Sequence, residues 1–184
     1  MDIIKTKYAD DDTTPLKRLF SMRLASLMLG LILGIILSFV TSRFEEVLLH
    51  DIKVAFFIPF VVYMAAAVGA QTQSIYVRDL KSGRANFKTY LIKESALGFF
   101  LGIVFSVLSS LVTWVWFKSA ELSLVVALTM FGAMLIAPLV ALTVAELLHK
   151  EHRDPALGVG PIATVIQDTL SVLIYGLVTT AIIL

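Results

Sequence analysis

Cysteine is absent from this 184-residue chain. Disulfides, thiol chemistry and thiolate metal sites are thereby excluded. Charge is scarce: 16% of the residues are Asp, Glu, Lys or Arg, against about 25% in an average soluble domain. The net charge is only +1, which removes any bulk attraction to nucleic acid. Histidine occurs three times, as His50, His149 and His152, each in a predicted loop or at a helix end. An intramembrane zinc or haem site therefore lacks ligands, and nothing calls for an organic cofactor. The first 18 residues contain no apolar run and carry Asp10, Asp11 and Asp12, unlike a cleaved signal peptide.

What the chain does have is apolar length. Hydrophobic residues make up 58% of it, and the mean hydropathy is +0.90. Crossing a bilayer takes about 20 consecutive, mostly apolar residues in a helix. Five segments meet that requirement: Phe20–Thr41, Val54–Val77, Ser95–Phe117, Leu122–Leu148 and Pro161–Leu184. Lipid leaves no water to satisfy backbone groups, so these segments are predicted as helices. The expected fold is an all-α, polytopic integral membrane protein, placed in the cell membrane. Residues 1–19 form a short amino-terminal segment, and residues 20–184 form one transmembrane domain. Pro59 and Pro138 fall inside spans and are candidate kinks. Gly30 and Gly34 make a GxxxG-like pair in the first span.

Lys and Arg set the orientation. Lys5, Lys7, Lys17, Arg18 and Arg23 flank the first span, Arg78, Lys81, Arg84, Lys88 and Lys93 occupy the second loop, and Lys150 and Arg153 the fourth. The opposite side holds only Arg43, Lys53 and Lys118. The amino terminus is therefore expected in the cytoplasm and Leu184 outside. Trp114 and Trp116 fit an aromatic belt at the outer interface.

Asp168 stands well inside the fifth span. Asp at a helix centre costs about 2.5–3.5 kcal/mol on insertion scales. Such residues usually face a bundle interior, a water-filled cavity or a cation. Helical spacing aligns Gly160 or Pro161, Thr164, Asp168, Ser171 and Tyr175 on one polar or small stripe. Hydroxyls and a carboxylate are oxygen ligands suited to a hard cation. The bland reading of Asp168 is a protonated acid bonded to a neighbouring helix, and that of Thr164 and Ser171 is close helix packing. Two copies of Asp168 facing each other across a twofold axis would repel when empty, and a divalent cation between them would relieve that repulsion. This favours a parallel homodimer.

The second span is interrupted compositionally at Met64–Ser74, where small residues and amides gather, among them Gly69, Gln71 and Gln73. It reads either as a pore wall or as a tightly packed helix with interfacial amides. Asp154-Pro155 matches an N-cap and a first helical position, and Pro161 suggests a second, deeper helix start with free backbone groups near Thr164. Glu94 and Glu146 are expected within reach of cytoplasmic water, paired with Lys93, Arg84 or Lys150, or forming a cation vestibule.

These residues carry a family resemblance. Asp154-Pro155-Ala156, Gly160-Pro161, Thr164, Asp168 and Tyr175 match the pattern that opens the fifth helix of the MgtE family of magnesium channels and transporters. Pro59, Gly69, Gln71, Arg78, Leu80 and Gly83 fall in register with its second helix. The resemblance covers roughly residues 20–184. It implies a homodimer of five-helix subunits with a pore between them, magnesium as the transported ion, Asp168 as the central metal site and Thr164 beside it. Gly160, Pro161, Ser171, Tyr175, Gly69 and Gln71 become candidate pore lining. Magnesium holds its water tightly and needs near-octahedral oxygen coordination, so such a pore passes a largely hydrated ion.

Two departures stand out. A Gly-Gly-Asn triplet of the family's second helix is Ala65-Ala66-Ala67 here. Typical bacterial members also carry cytoplasmic CBS domains that sense magnesium, and with only a short segment before the first span, gating is expected to fall to the Asp10–Asp12 cluster or to an unknown regulatory partner. The competing expectations are a sodium- or proton-coupled magnesium exchanger and a non-conducting membrane scaffold. An intramembrane enzyme is not expected: Asp168 is the lone deep Asp, and no His lies within a span.

Overall fold

The computed structural model describes residues 12–151 and 155–184, with side chains from residue 160 onward in the last helix. Among these residues the secondary structure is helical, with no strand. In chain order the helices are α1 (Leu16–Ser42), α2 (Glu45–His50), α3 (Lys53–Lys81), α4 (Phe87–Phe117), α5 (Ala120–Lys150) and α6 (Pro155–Ile183). All but α2 are long and apolar enough to cross a membrane. The chain is an integral membrane protein.

The helices outrun the predicted spans at their charged ends. Helix α4 starts at Phe87, well before Ser95, because the Asn86 side chain accepts the Thr89 N–H at 3.1 Å and caps it. Helix α1 starts at Leu16. Hydropathy marks the hydrocarbon thickness, whereas backbone hydrogen bonding continues into the headgroup layer. The compositional interruption at Met64–Ser74 leaves no mark on the backbone, and α3 runs through it and through Pro59. Pro161 likewise lies inside α6, so the expected second helix start does not occur. Asp154 and its expected cap lie outside the described residues.

Helix α5 is the centre of the bundle, packed against α4, α6 and α3. Its Ala133, Ala137, Ala141 and Ala145 recur every fourth residue and are 0–1% exposed. Small side chains at this spacing let neighbouring backbones come close. From α3, Val54, Phe57, Val61, Ala65 and Val68 pack against Leu122, Val125, Val126, Met130, Met134 and the first two of those alanines. A second cluster joins Tyr76, Leu142, Val144, Ala145, Leu148 and Ala163 toward the other end. Helix α1 packs mainly on α6, and Leu27, Leu31, Ile35 and Phe39 are more than half exposed, as suits a lipid-facing helix.

The GxxxG pair that is close-packed within the subunit is in α4. A methyl on Gly98 would lie 3.0 Å from Pro138 Cγ and 3.1 Å from the Met134 carbonyl oxygen. One on Gly102 would lie 3.0 Å from the Phe131 ring and 3.3 Å from its carbonyl oxygen. Gly34 faces open space, and Gly30 merely borders Pro161. The α4–α5 turn is tight: Lys118 takes a left-handed conformation (φ 51°), and the Ser119 side chain caps α5 by accepting the Leu122 N–H at 3.2 Å. Replacing Gly98 or Gly102 with Leu should overpack this contact and cost about 1–3 kcal/mol. A lowered thermal unfolding midpoint in detergent would register it, and Gly34→Leu should leave that midpoint unchanged.

Candidate functional site

Helix α6 lies between α1, α3 and α5 and carries the predicted stripe. The stripe is not uniform. Thr164 is exposed and Asp168 half-buried, whereas Ser171 and Tyr175 are 2% and 1% exposed. The Tyr175 hydroxyl donates to the Val54 carbonyl at 2.7 Å, which ties α6 to the start of α3. Ser171 and Tyr175 therefore lie inside the subunit. Gly160 and Pro161 are half-exposed. Gly160 faces the Gln73 amide, 3.9 Å from where a methyl would stand, and Pro161 rests against Gly30.

Asp168 keeps one carboxylate oxygen, Oδ1, out of solvent with no hydrogen-bond partner in the subunit. An unpaired buried oxygen of this kind is costly, and a cation is one group that would satisfy it. No group of three or more His, Asp or Glu side chains converges among the described residues. Among the described residues no cluster of protein oxygens around Asp168 is large enough to replace the hydration shell of a magnesium ion.

On α3, Gln71 is exposed on the surface it shares with Ala70 and Ser74, while Gly69 is buried. Gly69 meets a residue that sequence reasoning missed. A methyl there would overlap Gln167 Oε1, and it would lie 3.2 Å from Gln167 Cδ and 3.5 Å from the Ala137 carbonyl oxygen. Gln167 is 3% exposed, and its Nε2 has no partner. A mid-span amide next to Asp168 was the available signal.

The two predicted cytoplasmic acids behave differently from each other. Glu94 is 9% exposed and accepts a 2.7 Å hydrogen bond from Thr72 Oγ1, while Arg84 and Lys150 pair with Asp79 and Glu146 instead. The spacing that puts Glu94 on the same face as Gly98 turns it toward the bundle. Glu146 does pair with Lys150, at 3.2 Å, and also accepts from the Tyr76 hydroxyl at 2.7 Å. Nearby, Tyr90 donates to Asp79 at 2.6 Å, and Arg78 and Arg84 approach that carboxylate at 3.0 and 3.8 Å. These links pin α3 to α4 and α5.

The MgtE family of divalent cation transporters matches residues 58–178. The chain belongs to the MgtE family. It is 35% identical to the magnesium transporter MgtE of Bacillus subtilis over 164 residues, 88% of this chain and 36% of that protein. It is 30% identical to the MgtE of Enterococcus faecalis over 84% of this chain, and 27% identical to that of Thermus thermophilus over 85%. The chain spans about a third of the length of these curated relatives (36%, 35% and 35%).

The Thr72–Glu94 bond admits a direct check. Thr72→Val should leave the buried carboxylate without its donor and cost about 1–3 kcal/mol. Thr72→Ser should retain most of the stability, as read from thermal unfolding in detergent.

Proposed function

We propose that this chain passes divalent cations, magnesium preferred, through a pore between two copies of itself, with Asp168 as the central ion site and Thr164 beside it. The observation that carries the reading is the Asp168 carboxylate, held within a membrane-spanning helix with one buried oxygen unpaired. Intramembrane acids of this kind characteristically mark ion paths. The scarcity of other ligands in the subunit supports two further points. A second copy would double the oxygens on offer, and the ion would keep most of its water. The exposed Ala70, Gln71 and Ser74 on α3, with Thr164 on α6, offer small and polar side chains for the wall of such a path.

Purified protein in liposomes loaded with a magnesium-sensitive dye should carry magnesium inward, and Asp168→Ala should abolish that signal while the protein remains dimeric by size and cross-linking. Flux at the wild-type rate in Asp168→Ala would refute the site. A requirement for an opposing sodium or proton gradient would replace the channel with an exchanger.

The charge distribution supports an inward-facing amino terminus. The cysteine-free chain allows single-site labelling. A membrane-impermeant maleimide should reach Lys118→Cys in intact cells and Ser82→Cys only after the membrane is opened. The reverse pattern would overturn the orientation.

A further inference from the structure

Gln167 and Gly69 form a contact that the ion-site reading does not use. The Gln167 side chain fills the notch that Gly69 leaves on α3, under the Ala137 carbonyl of α5, so three helices meet at one amide. Its Nε2 finds no acceptor there. The next residue along α6 is Asp168.

Resting on the reading of Asp168 as the ion site, we propose that Gln167 is its positioning residue: seated against Gly69, it fixes the rotation and height of α6 and so aims the Asp168 carboxylate. Successive residues on a helix point about 100° apart, so Gln167 can grip α3 and α5 while Asp168 faces elsewhere. A carboxylate lies roughly 5–6 Å from the helix axis, so a turn of about 20° at the seat moves it by roughly 2 Å. Magnesium demands near-ideal octahedral geometry and short bonds, whereas calcium accepts looser arrangements of more ligands. Loosening the seat should therefore erode discrimination between the two ions before it abolishes passage.

The test is a double-variant cycle. Gly69→Ala places a methyl on the Gln167 amide, and Gln167→Asn withdraws that amide by one methylene. In liposomes, Gly69→Ala and Gln167→Leu should each lower the magnesium-to-calcium flux ratio several-fold, and Gly69→Ala with Gln167→Asn should recover most of it. An independent readout uses nitroxides on Leu147→Cys of α5 and Leu177→Cys of α6, both exposed and at opposite ends of the bundle. Their distance distribution should shift in Gly69→Ala and return in the double variant, whether or not ions flow. Unchanged flux ratios, or unchanged distances, in Gly69→Ala and Gln167→Leu would overturn the positioning role. Asp168→Ala in the same preparation separates the two ideas. If that variant conducts normally, the ion site itself falls. If it is silent while Gln167→Leu keeps the wild-type ratio and distances, the positioning role falls alone.

Discussion

Lipid tails are as apolar as leucine, so burying a leucine between two membrane helices gains little over leaving it in the bilayer. Association must come instead from close backbone approach and from polar contacts that lipid cannot offer. Helix α5 meets that constraint with alanine at every fourth position from Ala133 to Ala145, and α4 answers with Gly98 and Gly102 against Phe131, Met134 and Pro138. Tight contact along α5 brings α3 and α6 near enough for single polar side chains to bridge them. The Tyr175–Val54 bond at one end and the Gln167–Gly69 contact further along both depend on that nearness. Helix α1 offers only Gly30, beside Pro161 of α6, and most of its surface stays exposed.

The spans were legible because the bilayer imposes a length that hydropathy reports directly. Asp168 was legible because an acid within an apolar run is expensive wherever it points. What the sequence concealed was direction. Glu94 reads as a headgroup-level acid by its height, yet the turn of α4 faces it inward onto Thr72. Gly30 and Gly34 and the α4 pair have the same spacing, and only the helix opposite decides which pair is close-packed. The stripe through Thr164, Asp168, Ser171 and Tyr175 lies along one face in sequence, but α6 is clasped by three helices and passes from open to buried along it. Gln167 was missed for the same reason, since its importance lies in a glycine about a hundred residues away on another helix.

The buried polar groups divide into two kinds, and the division bears on where an ion could act. Thr72 with Glu94, Tyr76 with Glu146 and Tyr175 with the Val54 backbone are each satisfied within the subunit by a bond of 2.7 Å. Satisfied pairs of this kind fix helices in place and leave nothing for a ligand to gain. Asp168 and Gln167, adjacent on α6, retain a buried acceptor and a buried donor with no partner in the subunit. The two atoms do not bond each other, because neighbouring residues on a helix diverge by about 100°. A fold that wanted only stability would pair such groups or replace them with apolar ones. Among the described residues the other such atom is His149 Nδ1, near the end of α5, so the two unmet groups within the span stand side by side on α6.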